Sequence, residues 1–126
     1  MRYILDTNVL IYLLCAPNAL SPEARRIVQS EPDVFVSIAS LWEIGIKQSL
    51  GKLSLALDVP GIEAQCTDRD IHLLPITSVV IERMKGLPFI HRDPFDRLLV
   101  AHAMEEDFVM VTHDGIIPQY PVKTMW

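Results

Sequence analysis

Four acidic side chains are spread over the chain in positions from which they could act together on a metal ion: Asp6, Glu43, Asp96 and Asp114. If folding brings them to one place, their charges repel one another, which raises their pKa values and costs stability. A hard divalent cation removes that penalty, and oxygen ligands without histidine or thiolate select Mg²⁺ or Mn²⁺. The residue types therefore predict a metal site of the kind that hydrolyses phosphodiesters.

Each of these acids, taken alone, also has a simpler structural explanation. Glu43 ends the stretch Ser-Leu-Trp-Glu, which fits a helix capping box. Asp96 would favour a helix dipole, and Asp114 precedes a glycine, as aspartate does in many turns. Asp6 could cap a first helix. Only the four acids together favour a metal site over these structural roles.

The elements that must position these acids follow from the hydrophobic pattern. Short apolar runs predict strands at 2–5, 34–36, 73–75, 108–112 and 121–126. Helical patterns with caps predict helices at 7–14, 22–30, 38–50, 58–69 and 78–85, and one more from residue 93. Strands alternating with helices indicate a parallel sheet covered on both faces. Ligands bind such sheets outside the carboxyl ends of the strands, which is where most of these acids are expected.

Length and composition indicate one globular domain, residues 1–126, because half of the residues are hydrophobic and 21% are charged. The apolar run 9–14 is too short for a bilayer span, and the aspartate upstream of it is wrong for a signal peptide, so we expect a cytoplasmic protein. The net charge of −5 argues against binding nucleic acid through a basic face. That objection weakens if bound cations neutralise part of the charge.

The two cysteines, Cys15 and Cys66, are expected to be buried structural thiols. Neither belongs to a C-x-x-C pair, and the cysteines and histidines show no zinc-ligand spacing. Trp42 and Trp126 are expected to anchor the core or an interface rather than to stack on bases.

Four sequence blocks occur in an order and at a spacing that is specific when they are taken together. They are ILDTN at 4–8, LWEI at 41–44 with LGKL at 50–53, HRDPFDRLLVA at 91–101, and VTHD at 111–114. These blocks resemble PIN-domain proteins, and they look most like the VapC toxins of bacterial toxin–antitoxin pairs. The resemblance spans nearly the whole chain.

The resemblance implies a PIN-like three-layer α/β/α sandwich with a short, mainly parallel central sheet. It also implies an Mg²⁺-dependent endoribonuclease that a cognate antitoxin inhibits. By the family pattern, the catalytic and metal-binding acids map onto Asp6, Glu43, Asp96 and Asp114 of this sequence.

Three further residues take supporting roles under the same resemblance. Thr112 would place a hydroxyl next to the metal-bound waters, and Asn8 would orient Asp6. Asp93 recurs in the motif, but Pro94 follows it directly, so we favour a helix N-cap over a metal ligand for this residue.

Other charged residues near the acids have competing roles. Lys52, Arg92 and Arg97 could contact phosphate, although solvated surface charge is the default expectation. Lys47 lies four residues after Glu43, so a helical ion pair is expected there.

Alternative functions stay open at this point. A metal-free ribonuclease could use His91 or His113 as general acid and base. A receiver-like phosphoacceptor domain has similar length, but Asp6 is not followed by a second acid. The same absence disfavours an aspartyl-phosphate phosphatase. A non-enzymatic metal- or RNA-binding module on the same fold would have no chemical reason to keep four repelling acids.

A protein partner is also expected. The helix at 7–14 is apolar on every face, more than a surface helix of a small domain needs. A second copy of the chain, as a homodimer, or an antitoxin would bury part of it. A basic side chain of an antitoxin could also enter the acidic pocket.

Overall fold

The computed structural model describes residues 1–126, and it contains every strand and helix that the sequence predicts. The strands are β1 (Tyr3–Leu5), β2 (Val34–Ser37), β3 (His72–Leu74), β4 (Val109–Val111) and β5 (Lys123–Met125). The helices are α1 (Thr7–Cys15), α2 (Pro22–Ser30), α3 (Ile38–Ser49), α4 (Val59–Asp68), α5 (Ser78–Lys85) and α6 (Pro94–Glu106). Short 3₁₀ turns cover Pro17–Ala19 and Ile117–Gln119.

The five strands form one sheet in the order β3-β2-β1-β4-β5, and every neighbouring pair is parallel. The chain moves outward from β1 to β3, returns through α6, and adds β4 on the other side of β1. The strand order therefore reverses between β1 and β4. A crevice opens at such a reversal, outside the carboxyl ends of the two strands.

The two faces of the sheet carry separate hydrophobic clusters, which confirms the α/β/α arrangement. On β1, Tyr3 and Leu5 pack on one side with residues of α1, α2, α3 and α4. Ile4, between them, packs on the opposite side with α5 and α6. Both faces of a central parallel strand must be covered, so its sequence is apolar without alternation. Full burial of each such side chain contributes about 1.5–3 kcal/mol.

Several helices begin or end at residues with known capping preferences. Ser21, Asp58 and Thr77 each accept a hydrogen bond from the backbone N–H three residues later. Gly51 follows α3 with a φ of +68°, a left-handed conformation that glycine adopts without steric cost. These local signals set the ends of the helices.

The capping box considered as an alternative role for Ser40 and Glu43 is wrong. α3 begins at Ile38, and its N-cap is Ser37, whose hydroxyl accepts a hydrogen bond from the Ala39 N–H at 3.0 Å. Ser40 lies inside the helix, fully buried, and its hydroxyl accepts a hydrogen bond from Thr7 at 2.9 Å. Glu43 therefore has no capping role at the start of α3.

Exposed apolar surface lies on α3 rather than on α1, where the sequence predicted it. The apolar residues of α1 are buried or pack partly buried against the core. On α3, Ile38, Trp42 and Ile46 are exposed at a helical spacing of four, with Trp42 59% exposed. Trp42 is thus not a core residue, and it packs edge-to-face on Phe95.

The thiol predictions are half right. Cys66 is fully buried as expected, whereas Cys15, at the end of α1, is exposed. The apolar run that ends at Cys15 suggested burial, but the side chains that pack against the core end with Leu14. None of the helices is both long enough and apolar enough to cross a lipid bilayer.

Candidate active site

The crevice between β1 and β4 is lined by residues that directly follow these two strands. Asp6 follows β1 and Thr112 follows β4, and both side chains are buried. The Thr112 hydroxyl donates to Asp6 Oδ2 at 2.6 Å and accepts from the Asp114 N–H at 3.0 Å. Parallel strands end at the same edge, so residues more than a hundred positions apart along the chain meet there.

The charged form of Asp6 is unfavourable at this position. Burial raises the pKa of its carboxyl group, and the charges of Asp114 and Glu43 raise it further. The hydrogen bond from Thr112 opposes this rise but does not cancel it.

Asp96, in the first turn of α6, shows the largest effect of this crowding. Burial raises its pKa, as do the charges of Asp6, Asp93 and Glu43, and the result is a pKa of about 7. The nearby His91 imidazole opposes this rise. A carboxylate with this pKa gains most from a bound cation, because the cation stabilises its charged form.

Glu43 reaches the same cluster from the second turn of α3, and its two carboxylate oxygens differ. Oε2 forms the predicted ion pair with Lys47 Nζ, at 3.0 Å. Oε1 is buried and accepts no hydrogen bond. A buried anionic oxygen without a partner is costly, and a metal ion supplies the missing interaction.

Asp114 has both a turn role and a place in the cluster. Its Oδ1 accepts hydrogen bonds from the N–H groups of Ile116 and Ile117, as expected for a turn. Its Oδ2 accepts from His91 Nε2 at 3.1 Å. Burial would raise the pKa of Asp114, but these hydrogen bonds hold it below its ordinary value.

His91 is the member of the site for which the sequence indicated a role only in the alternative of a metal-free ribonuclease. Its ring lies between two carboxylates, with Nε2 3.1 Å from Asp114 Oδ2 and 3.2 Å from Asp96 Oδ2. Burial alone would lower its pKa, but the carboxylates of Asp114 and Asp96 raise it. The histidine of the HRDPFD block was the only available signal.

Two of the supporting roles can be compared with the structure. Asp93 is the N-cap of α6: its Oδ1 accepts from the N–H groups of Phe95 and Asp96. Asn8 is exposed, and its backbone N–H, rather than its side chain, hydrogen-bonds the Asp6 carboxylate and opposes the rise of its pKa. Asn8 does line a cavity of about 150 Å³ beside Asp6 and Asp114.

Among the three basic residues that flank the acidic blocks, Arg97 is not available to a ligand. It is buried, and its guanidinium donates to the carbonyls of Met84 and Leu87 and lies over the Phe89 ring. Lys52 and Arg92 are exposed, as expected for surface charges.

The residues of the crevice fit a hard divalent cation. They supply carboxylate oxygens from four places in the fold. The carboxyl groups of Asp6 and Asp96 have raised pKa values, and Glu43 Oε1 has no hydrogen-bond partner. Mg²⁺ and Mn²⁺ prefer such donors and keep several waters. The arrangement could thus hold a metal-bound water close to a phosphodiester.

Comparisons with known proteins agree with this fold. The sequence matches the family model described as PIN domain over residues 3–123, so the chain belongs to the PIN domain family. No curated protein sequence matches it.

Three solved structures illustrate the similarity of fold. VapBC-1 from nontypeable Haemophilus influenzae has a TM-score of 0.68 at 22% identity, covering 99% of this chain and 97% of that one. VapBC2 from Rickettsia felis, bound to a DNA fragment from its promoter, has a TM-score of 0.69 at 17% identity, covering 99% of this chain and 98% of that one. VapC20 from Mycobacterium tuberculosis, described as a Sarcin-Ricin loop cleaving toxin, has 0.65 at 16%, covering 95% of each chain.

The topology also argues against a receiver-like domain. Receiver domains have the strand order 2-1-3-4-5, whereas this sheet has 3-2-1-4-5. The two folds thus reverse their strand order at different places, and the acids of this chain lie at its own reversal between β1 and β4.

Proposed function

We propose that this chain is an Mg²⁺- or Mn²⁺-dependent endoribonuclease and the toxin of a toxin–antitoxin pair. One observation carries the proposal: Asp96, with a pKa of about 7, lies in a cluster with Asp6, Glu43 and Asp114 at the strand reversal. Such a cluster costs stability, and a nuclease metal site gives it a chemical purpose.

In this proposal the four acids hold the metal, and their neighbours keep them in place. The Thr112 hydroxyl orients Asp6 through a short hydrogen bond, and the turn at Asp114 holds that carboxylate against the crevice. Lys47 neutralises one oxygen of Glu43 and leaves the other free for the metal. A bound Mg²⁺ would activate a water molecule and offset the charge of the phosphate.

Several observations support RNA as the substrate and a toxin as the biological role. The family membership and the four motif blocks point to this class, and similar folds occur in toxin–antitoxin complexes and in a toxin described as cleaving the Sarcin-Ricin loop. The net charge of −5 is less of an obstacle when four of the negative charges surround a cation.

The direct test is cleavage of a mixed RNA pool by purified protein. We expect cleavage with Mg²⁺, none with EDTA, and none by Asp96→Asn, with products that carry 5′-phosphates and 3′-hydroxyls. Asp68→Asn, which changes an exposed acid at the end of α4, is the matched control and should cleave normally. Equal cleavage by wild type and Asp96→Asn, or cleavage in chelator, would refute the assignment.

The toxin role needs a cellular test. Expression of the chain should arrest growth, Asp96→Asn should relieve the arrest, and co-expression of a cognate antitoxin should do the same. We expect the protein in the cytoplasm, where it would reach cellular RNA. If the chain cleaves RNA but its expression does not affect growth, the toxin role is refuted while the ribonuclease activity stands.

A homodimer and one folding unit over residues 1–126 are further parts of the proposal. The exposed apolar residues of α3 support an interface, because such patches are usually buried by a partner. Light scattering should give twice the chain mass, and Trp42→Glu should reduce it to the monomer. Denaturant unfolding of that monomeric variant should be a single cooperative transition.

A further inference from the structure

His91 offers one nitrogen to the acidic cluster, and together with its two carboxylate neighbours it suggests at first a metal site. His91, Asp96 and Asp114 place one donor atom each within 4.8 Å of one another. A nitrogen ligand would change the metal preference, because imidazole suits Zn²⁺ and later transition metals whereas carboxylates and water suit Mg²⁺ and Mn²⁺. Which role His91 has therefore decides what the site binds.

The opposite nitrogen of the ring answers this question. The backbone N–H of Asp93 donates a hydrogen bond to His91 Nδ1 at 3.1 Å. Nδ1 must therefore present a lone pair, and the neutral ring carries its proton on Nε2. Nε2–H then donates a hydrogen bond to Asp114 Oδ2. Because Nε2 carries the proton, it has no free lone pair with which to coordinate a metal.

Metal-ligating histidines show the reverse arrangement. They bind the metal through one nitrogen and donate the other N–H to a carboxylate or a backbone carbonyl. For His91 Nε2 to become a ligand, Nδ1 would have to carry the proton and point it at the Asp93 N–H. Two donors would then face each other in a partly buried loop, at a cost in hydrogen bonding.

The loop that holds this ring is itself anchored at both ends. The His91 N–H donates to the Tyr120 hydroxyl at 2.9 Å, and that hydroxyl donates to the Pro88 carbonyl at 2.8 Å. On the other side, Asp93 caps α6 through its side chain. A flip of the imidazole that exchanges its nitrogens would leave these anchors in place, but it would break the hydrogen bonds of Nδ1 with the Asp93 N–H and of Nε2 with Asp114.

We propose that His91 is a positioning residue, not a metal ligand: its Nε2–H holds the Asp114 carboxylate beside that of Asp96, with the tautomer set by the Asp93 backbone. This inference rests on the proposed metal site. It gives Asp93 a second role through its N–H, and it leaves an all-oxygen donor set, which favours Mg²⁺ and Mn²⁺ over Zn²⁺.

The tautomer can be measured without any metal. In metal-free protein labelled with ¹⁵N-histidine, at a pH where His91 is neutral, NMR should show a protonated Nε2 and a bare Nδ1 for His91. The same spectrum recorded for His91→Gln identifies the signal by its loss. A proton on Nδ1 with a bare Nε2 would overturn the inference, whatever the protein does to RNA.

Metal binding supplies the second test. Calorimetry with Mn²⁺ alone should show about 10- to 100-fold weaker binding for His91→Ala, the usual effect of losing such a supporting residue. His91→Gln keeps an N–H donor at a similar reach and should bind within about fivefold of wild type. In Mn²⁺-loaded wild type, electron spin echo spectra should show no directly bound imidazole nitrogen.

The outcomes separate the two levels of the proposal. A wild type that binds no Mn²⁺ would refute the metal site, and the NMR result would still stand for the ring. A wild type that binds Mn²⁺ through a coordinated nitrogen, or equal binding by His91→Ala, would refute the positioning role alone. Failure of His91→Gln to restore binding that His91→Ala loses would also count against a donor role.

Discussion

The N-termini of α3 and α6 are built from similar parts, yet only one of them forms a site. At α3, Ser37 caps the helix and its hydroxyl lies 3.0 Å from Nε2 of His102, a fully buried histidine. At α6, Asp93 caps the helix, and its backbone N–H donates a hydrogen bond to Nδ1 of the buried His91. Both helix starts thus pair a short polar cap with a histidine out of solvent.

The two regions differ in the charges around the histidine. His102 faces a neutral hydroxyl, with one carboxylate oxygen of Glu106 3.8 Å away, and burial lowers its pKa. His91 lies between two carboxylates, and Asp96 beside it has a pKa of about 7. A buried histidine is therefore a poor marker of function, whereas like charges gathered around one are informative.

The largest effect should come from removing one charge from the acidic cluster beside the start of α6. Asp114→Asn keeps the Oδ1 atom that accepts the turn hydrogen bonds, so the fold should persist. RNA cleavage should fall about 100- to 1000-fold, the range typical for loss of one electrostatic contact to a transition state. Rates measured under saturating Mg²⁺, beside the Asp68→Asn control, test this. Undiminished cleavage would remove Asp114 from the site.

The next effect concerns stability and pH. Because the folded pKa of Asp96 is about 7, above its ordinary value of 3.8, the folded state holds this proton more tightly. Stability without metal should therefore be full near pH 4 and decline as the pH rises to about 7, by about 2–4 kcal/mol after allowing for solvent screening. Urea unfolding in EDTA across this range measures it.

The matched variant for that experiment is Asp96→Asn. It should show a flatter pH profile and higher stability near pH 8 than wild type, and Mg²⁺ should stabilise only the wild type. The raised pKa of His91 acts in the same direction, so some decline should remain in the variant. A profile that Asp96→Asn leaves unchanged would show that the acids of the α6 region do not repel one another.

A smaller effect should follow from Ser37→Ala in the α3 region. The variant loses the N-cap acceptor and the contact with His102, so stability should fall by about 1–2 kcal/mol. Cleavage by the folded protein should be unchanged, because Ser37 does not touch the acids. Loss of cleavage at full folding would show that the comparison drawn between the two helix starts is wrong.

The smallest effect is expected for Asp93→Asn. Asparagine caps a helix as well as aspartate does, so stability should change by less than about 0.5 kcal/mol. The backbone N–H that meets His91 is kept, and cleavage should stay within about threefold of wild type, since only a nearby charge is lost. A loss as large as that expected for Asp114→Asn would instead make Asp93 a metal ligand.

Much of the fold was predictable because its signals are local. Pro22 after Ser21 marks the start of α2, and a glycine at position 51 marks the end of α3. The apolar strands are short and buried on both faces, so the hydrophobic pattern identified them as well. Errors arose where burial depends on neighbours distant in sequence, as for Cys15, which is exposed, and for Arg97, which is buried.

The candidate site was predictable in part for a similar reason. Parallel strands end at one edge, so Asp6 and Asp114 were expected to meet. The capping interpretation of Glu43 was wrong because α3 begins three residues earlier than the Ser-x-x-Glu pattern suggests. No sequence signal distinguished His91 from His113, which is exposed and stacks on Trp126.

The sequence by itself determined the elements, the parallel class of their sheet and the candidate acids, because these depend on residue type and on spacing along the chain. Only the tertiary structure decided which acids crowd together, which oxygen of Glu43 is left without a partner and which groups face each nitrogen of His91. Those features depend on distances of about 3 Å between groups far apart in the chain, and hydrogen bonds and charge interactions change steeply over such distances.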